Sequence, residues 1–231
     1  MSKWNDIEAR NLRKLLKKVY MHLICAILKL YHSIWKSSYS IKLGKNSFVI
    51  FPSVFDPKFS MSSTLLASTI HVEPNESLLD MGTGSGVLAI IAAKQAKDVI
   101  AIDINTQAIQ CAYMNASLQR VKNISFIVSD LFAAVKKDKM FDLILFNPPY
   151  FEKSAKNMME RAWCNSNIVQ FLRQSKHFLK PKGRIIITFS SMGDLELLYE
   201  ACNRLGFSIK HKREKSLFFE RISVFELKKR I

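Results

Sequence analysis

The residues best suited to chemistry stand in three places, each at the end of an apolar run. The first is Leu78-Leu79-Asp80-Met81-Gly82-Thr83-Gly84-Ser85-Gly86. An acid and three glycines at alternate positions close the run, and a helical pattern starts at once. Glycines let a backbone turn tightly and approach a ligand closely, and a helix N-terminus offers free N–H groups. The spacing is G-x-G-x-G, and Val87 occupies the place where a dinucleotide fingerprint needs its third glycine. A tight strand-to-helix turn with no ligand reads the same way. The second place is a pair of later acids, Asp103 before Ile104 and Asp130 before Leu131. A carboxylate at Asp103 can accept both hydroxyls of a ribose, and one at Asp130 a hydrogen bond from an adenine amino group. Either acid equally suits a helix cap. The third place is Asn147-Pro148-Pro149-Tyr150, directly after Phe141-Asp142-Leu143-Ile144-Leu145-Phe146.

These residues need elements to hold them, and the hydrophobic pattern supplies an alternation. Ser47–Pro52 reads as a short strand ended by proline, and Ser60–Ile70 as a helix. Strands then follow at Ser77–Met81, Val99–Asp103, Ser125–Ser129, Phe141–Phe146 and Arg184–Phe189. Helices fall between them at Gly86–Gln95, Gln107–Leu118, briefly near Leu131–Val135, and at Asn167–Phe178; another covers Leu195–Leu205. Ser208–Arg213 and Ile222–Lys228 close the chain as two strands with no helix between them. The pattern predicts an α/β domain over residues 47–231. Its seven-stranded sheet is mostly parallel, carries an antiparallel hairpin at one edge, and binds ligands at the carboxyl ends of its strands. Residues 1–46 read as a basic helical extension, with an apolar face that broadens from Val19 to Trp35. That face suits packing on the domain, a lid over substrate, or a membrane surface or second subunit. Its length, interrupted by His22, Lys29, His32 and Ser33, falls short of a membrane span.

The formal net charge is +16, and its distribution is uneven. Residues 1–46 carry +8 and residues 204–231 carry +6, while the long middle carries only +2. Clustered Lys and Arg favour an anionic partner such as nucleic acid, an acidic protein or an anionic membrane. They also serve solubility alone. Cys25, Cys111, Cys164 and Cys202 form no C-x-x-C pair, which argues against a metal site or disulfide framework and fits a reducing cytoplasm. The first residues do not read as a secretory signal, since Asp6 and Glu8 interrupt the charged stretch.

Taken in order, one per β-α unit, the glycine loop, Asp103 and Asp130 resemble the class I S-adenosylmethionine-dependent methyltransferases over roughly residues 48–228. The resemblance implies a Rossmann-like, doubly wound fold. It implies S-adenosyl-L-methionine as methyl donor, with S-adenosyl-L-homocysteine as product. Donor contacts would come from Asp80, Gly82, Thr83, Gly84, Gly86, Asp103, Ile104, Asp130, Leu131 and Asn147. Asn147-Pro148-Pro149-Tyr150 is similar to the signature of enzymes that methylate exocyclic amines of bases or the side-chain amide of glutamine. Its chemistry is consistent with that. Such a nitrogen is a poor nucleophile because its lone pair is delocalised. The Asn147 side-chain oxygen and the Pro148 carbonyl can each accept one of its N–H bonds and aim the lone pair at the methyl group. Tyr150 can stack on the flat acceptor. The stretch Val54–Leu66 resembles the segment before the glycine loop in the small-domain N-methyltransferases and the release-factor glutamine methyltransferases. By that resemblance Phe55 and Pro57 border the donor pocket, and Ser63 or Thr64 caps a helix near its methionine end. The expected acceptor is glutamine in a protein such as a translation factor; an RNA or DNA base and a small amine are the alternatives.

Overall fold

The computed structural model of the chain describes residues 15, 16, 19, 20, 22, 23, 26, 27, 30, 34, 36–57, 61–149, 167–217 and 220–230. Its strands are β1 (Tyr39–Leu43), β2 (Asn46–Ile50), β3 (Ser77–Met81), β4 (Asp98–Asp103), β5 (Ile124–Val128), β6 (Phe141–Phe146), β7 (Leu179–Ser190), β8 (Phe207–Ser216) and β9 (Arg221–Lys229). Five helices join them: α1 (Met61–Ala67), α2 (Val87–Ala93), α3 (Thr106–Leu118), α4 (Ile168–Phe178) and α5 (Leu195–Arg204).

The main sheet has seven strands in the order β5-β4-β3-β6-β7-β9-β8. The first five run parallel, and β9 pairs antiparallel with both β7 and β8. This is the doubly wound, Rossmann-like sheet with an antiparallel edge that the alternation predicts. Strands buried on both faces read as continuous apolar runs, which explains Leu78-Leu79 and Leu143-Ile144-Leu145. Leu78, Leu143, Leu145 and Ile186 face one core, with Leu65 and Leu66 of α1 and Leu88 and Ala92 of α2. Leu79, Ile144, Phe146, Ile185 and Ile187 face the other, with Phe171 and Leu172 of α4 and Leu198 of α5. The strand order reverses between β3 and β6, so a crevice opens beyond their carboxyl ends.

The amino ends of the strands are tied by paired charges. Arg184 of β7 forks onto both oxygens of Glu76, just before β3, and also donates to the His71 carbonyl. Burial pushes the Glu76 carboxyl up, but the Arg184 hydrogen bonds and charge outweigh it and hold the group below its usual range. Lys180 meets Asp142 at 2.7 Å, and Lys139 meets Asp98 at 2.9 Å. Asp142 also accepts the Ser77 N–H at 2.9 Å, linking β6 to β3.

Two stretches differ from the expectation. Tyr39–Leu43, placed in the helical extension, is a strand that pairs with β2 across a turn at left-handed Gly44. Its residues alternate in burial, with Ile41 buried between exposed Ser40 and Lys42, so period two prevails over the helical reading. Leu131–Val135 forms turns rather than a helix. There Leu131 takes a left-handed φ of 49°, and the Ser129 hydroxyl accepts the Ala134 N–H. The helix expected over residues 3–36 lies mostly outside the described residues. Those described between residues 15 and 34 are helical, and Val19, Leu23, Ile27, Leu30 and Ile34 expose their side chains.

The glycine loop and α3 meet at a tight point. A Cβ on Gly86, whose φ is +82°, would stand 2.8 Å from the Ala112 Cβ. Gly86→Ala therefore combines a left-handed L-residue with overpacking and should cost about 2–4 kcal/mol of unfolding free energy. Chemical denaturation checks this; a change under 1 kcal/mol would show that the loop and α3 can separate cheaply.

Candidate active site

The penultimate residue of β3 is Asp80, which is 1% exposed. Its Oδ2 accepts the Thr83 hydroxyl at 2.7 Å and the Ala89 N–H at 3.1 Å. The acid thus binds both sides of the glycine loop and the first turn of α2. Its Oδ1 is buried and has no hydrogen-bond partner among the described residues. Burial drives the Asp80 carboxyl up to about 7, against those two hydrogen bonds, with the Asp103 charge adding to the rise.

Asp103 ends the neighbouring strand β4. Its Oδ2 accepts the Gly84 N–H and its Oδ1 the Asn105 N–H, both at 2.9 Å. Asp103 does not cap α3, because Asn105 takes that place by accepting the Gln107 N–H at 3.0 Å. Asp103 is left beside the glycine loop, each oxygen keeping acceptor capacity. Burial raises its pKa, while N–H donors from Asn105, Gly84 and Ile104 oppose the rise.

The segment after β2 roofs this end. Asn105 donates to the Ser53 carbonyl at 3.0 Å. Buried Asn115 of α3 satisfies both the Val49 N–H and the Val49 carbonyl, and reaches the Ser85 carbonyl of the glycine loop at 2.9 Å. Phe55 and Pro57 follow that roof, half-buried and buried respectively. Thr83 is buried, Ile104 is half-buried, Asp130 is exposed, and Leu131 packs its half-buried side chain against the core.

The far side of the crevice is built on β6 and β7. Asn147 follows β6, with Pro148 buried and Pro149 half-buried; Tyr150 lies outside the described residues. The Asn147 amide is held from two elements. Its Nδ2 donates to Ser63 Oγ of α1 at 2.9 Å, and Thr188 of β7 donates its hydroxyl to Oδ1 at 2.5 Å. Thr64 is exposed on the next position of α1, so Ser63 is the residue of this pair that meets Asn147. Thr188 was not legible from the sequence, where it is one polar residue in the apolar run Ile185–Phe189. That lone polar position in a buried strand is the signal that marks it.

A methyl donor with a cationic amino group and a ribose suits these residues. The orphaned Asp80 oxygen is a buried acceptor, and a Cβ at left-handed Gly84 would meet nothing within 4 Å, so the loop is open above that glycine. Residues 46–205 match the model of the methyltransferase small domain. The chain belongs to that family. The chain is similar to a putative protein N5-glutamine methyltransferase of Methanocaldococcus jannaschii. It is 32% identical over 75% of this chain and 90% of its own length. A release factor glutamine methyltransferase of Fusobacterium nucleatum is 46% identical over 35% of this chain, a stretch that is only 23% of that protein. A tRNA1(Val) adenine-N6 methyltransferase of Glaesserella parasuis is 29% identical over 66% of this chain and 73% of its own. Among solved structures, a T. thermophilus 16S rRNA N2 methyltransferase in complex with AdoMet and guanosine superposes with a TM-score of 0.64. It is 19% identical and covers 84% of this chain and 50% of that one. This methyltransferase small domain is an S-adenosylmethionine-dependent N-methyltransferase. Among the described residues no group of three or more His, Cys, Asp or Glu is placed to hold a metal, and no helix is long and apolar enough to cross a membrane.

Asp80 links the site to stability. Its folded pKa of about 7 exceeds the ordinary carboxylate value, so the folded state holds its proton where the unfolded state has lost it. The donor-free protein should therefore lose stability as pH rises from about 4 to 7, by a few kcal/mol from this group. Asp80→Asn should flatten that slope and raise the melting temperature at pH 8, while weakening donor binding in calorimetry. An unchanged donor affinity would remove Asp80 from the donor site.

Proposed function

We propose that this methyltransferase places its methyl group on the side-chain amide nitrogen of a glutamine in a protein, with a translation factor as the class of partner. The observation that carries the reading is the Asn147 amide held between Ser63 and Thr188 at the end of β6. An amide fixed from two elements can act as a rigid acceptor for the N–H of another planar nitrogen. Asn147 Oδ1 keeps a lone pair beside the one that Thr188 occupies, and the Pro148 carbonyl offers a second acceptor with no competing N–H. Donation from Nδ2 to Ser63 polarises the amide and leaves Oδ1 a better acceptor. The bound donor supplies a methyl group on cationic sulfur, so no strong base is needed at the acceptor nitrogen. Asn147 and Pro148 orient that nitrogen and favour the positive charge that develops on it. The proton leaves afterwards, when the nitrogen is acidic.

On the donor side the roles fall to Asp80, Gly82, Thr83, Gly84, Gly86, Asp103, Ile104, Asp130 and Leu131, with Phe55, Pro57 and Thr64 at its border. Asp103 takes the ribose hydroxyls and Asp130 the adenine amino group. Protein glutamine is favoured over a nucleic-acid base by the M. jannaschii relative, which shares most of its length with this chain. The basic extension would then grip the partner.

Labelled donor, the purified chain and a release factor test the acceptor. Label should stay with protein after nuclease and appear as methylglutamine on digestion; nuclease-labile label, or label in low-mass extract, would replace the reading with an RNA or small-molecule acceptor. A second experiment tests the clamp. Asn147→Ala should leave donor affinity nearly unchanged and lower turnover by about 10²–10³. Thr188→Val should lower kcat about tenfold, Thr188→Ser should restore most of it, and Thr188→Val should add nothing in the Asn147→Ala background. Additive losses would make Thr188 a structural residue only.

A further inference from the structure

Beyond the clamp, β7 presents a second polar side chain on the same face. Thr188 and Ser190 are two residues apart, so their side chains point the same way about 7 Å apart along the strand. Both are buried, at 0% and 1% exposure. Thr188 serves Asn147. Ser190 donates its hydroxyl to Glu220 Oε1 at 2.6 Å and accepts the Met192 N–H at 3.0 Å. Glu220, at the start of β9, is 7% exposed. Backbone bonds between Leu217 and Glu220 and between Ser191 and Arg221 fix the position of Glu220. The Ser191 hydroxyl also accepts the Arg221 N–H.

This carboxylate is unusual in its surroundings. The chain carries 35 Lys and Arg, yet Glu220 joins none of the ion pairs among the described residues. Burial pushes its pKa up, and the Ser190 hydrogen bond alone opposes that rise. A buried carboxylate held by one hydroxyl is costly, and such groups concentrate at binding sites. Its position gives the cost a purpose. β7 pairs with β6 in a register that sets Phe146 beside Ile187, so Ser190 lies beyond the paired stretch on the side where Asn147 follows β6, and Glu220 is hydrogen-bonded to it. The Tyr20 phenol is pushed up by burial and then by the Glu220 charge.

The geometry points to Glu220, positioned by Ser190, as a subsite that accepts main-chain N–H groups of a polypeptide acceptor beside the residue being methylated. This rests on the protein-glutamine reading above. With a glutamine amide in the Asn147 clamp, its own backbone lies about 5 Å away at ordinary bond lengths, within reach of a group one strand repeat further along. A carboxylate there welcomes N–H donors or a cationic side chain and repels a phosphate backbone. It therefore separates a peptide from RNA at the mouth of a protein whose net charge would otherwise attract both.

The test uses the full chain, labelled donor, a release factor and a tRNA pool, with thermal melting of each variant. Glu220→Gln and Ser190→Ala should raise the KM for the protein acceptor about tenfold, the size set by hydrogen bonds to a charged group. The kcat should stay within about twofold, and donor affinity in calorimetry should not move. Glu220→Lys should abolish protein methylation while strengthening tRNA binding. An unchanged acceptor KM in folded Glu220→Gln would overturn the subsite, as would a loss confined to melting temperature or donor affinity. If the wild-type chain labels tRNA and no protein, the glutamine reading itself fails, and that outcome is visible before any variant is compared.

Discussion

The buried carboxylate of Asp80, held without a counter-charge, is the constraint around which the site is built. It sits between the end of β3 and the start of α2, and its two hydrogen bonds set the path of the glycine loop. A left-handed run of Gly82, Gly84 and Gly86 would have many alternatives in isolation. Asp80 from below, Asp103 through the Gly84 N–H, and Asn115 through the Ser85 carbonyl select one. The loop is thus determined from three strands or helices, which is what a preorganised binding surface requires. The cost is an acid with an unused buried oxygen and a raised pKa, the kind of local destabilisation that persists where function retains it.

The sheet divides its charges by end. At the amino ends Glu76, Asp98 and Asp142 each meet a cation, and the strands are stitched together there. At the carboxyl ends Asp80 and Glu220 are buried and Asp103 half-buried, and none joins an ion pair among the described residues. Surface pairs add little stability individually, but they allow the opposite edge to carry unpaired acids on a rigid frame. Donor and acceptor sides then differ in construction. On the proposed reading the donor side is a braced backbone loop, whereas the acceptor side is a row of side chains, Ser63 of α1, Thr188 and Ser190 of β7, and Asn147 and Glu220 of the segments beside β6 and β9.

How much of this the sequence reveals follows from the range of each interaction. The glycine loop, its acid and the strand-end acids are local in sequence, so their spacing alone exposes them. The alternation of apolar runs similarly implies the parallel sheet, and the two closing runs imply its antiparallel edge. Thr188, Ser190 and Glu220 stand in no motif. They meet Asn147 or one another only because β7 lies between β6 and β9, and a one-residue slip in that register would turn both hydroxyls to the other face. The cap of α3 shows the opposite case. Asp103 and Asn105 are both competent cap residues, and tertiary contact with Gly84 decides which one is released. The first strand of the hairpin escaped the helical reading because its five residues alternate inside a longer region of helical period.

The separation of charge along the chain takes on a sharper meaning against this architecture. Most of the positive charge lies before residue 47 and after residue 203, outside the stretch that forms the donor site. In the second of these regions β8 carries Lys210, Lys212, Arg213 and Lys215 on an edge strand, where they guard against pairing with another chain. A uniform positive field would draw any polyanion to the domain, yet Asp80, Asp103 and Glu220 all stand toward the carboxyl ends of the parallel strands. On the protein-glutamine reading proposed above, long-range attraction and local recognition oppose each other where the acceptor would enter. An acceptor that profits from both needs an acidic outer surface and an uncharged, N–H-bearing segment at the point of reaction, a combination that a folded acidic protein with an exposed loop provides and a continuous phosphate backbone does not.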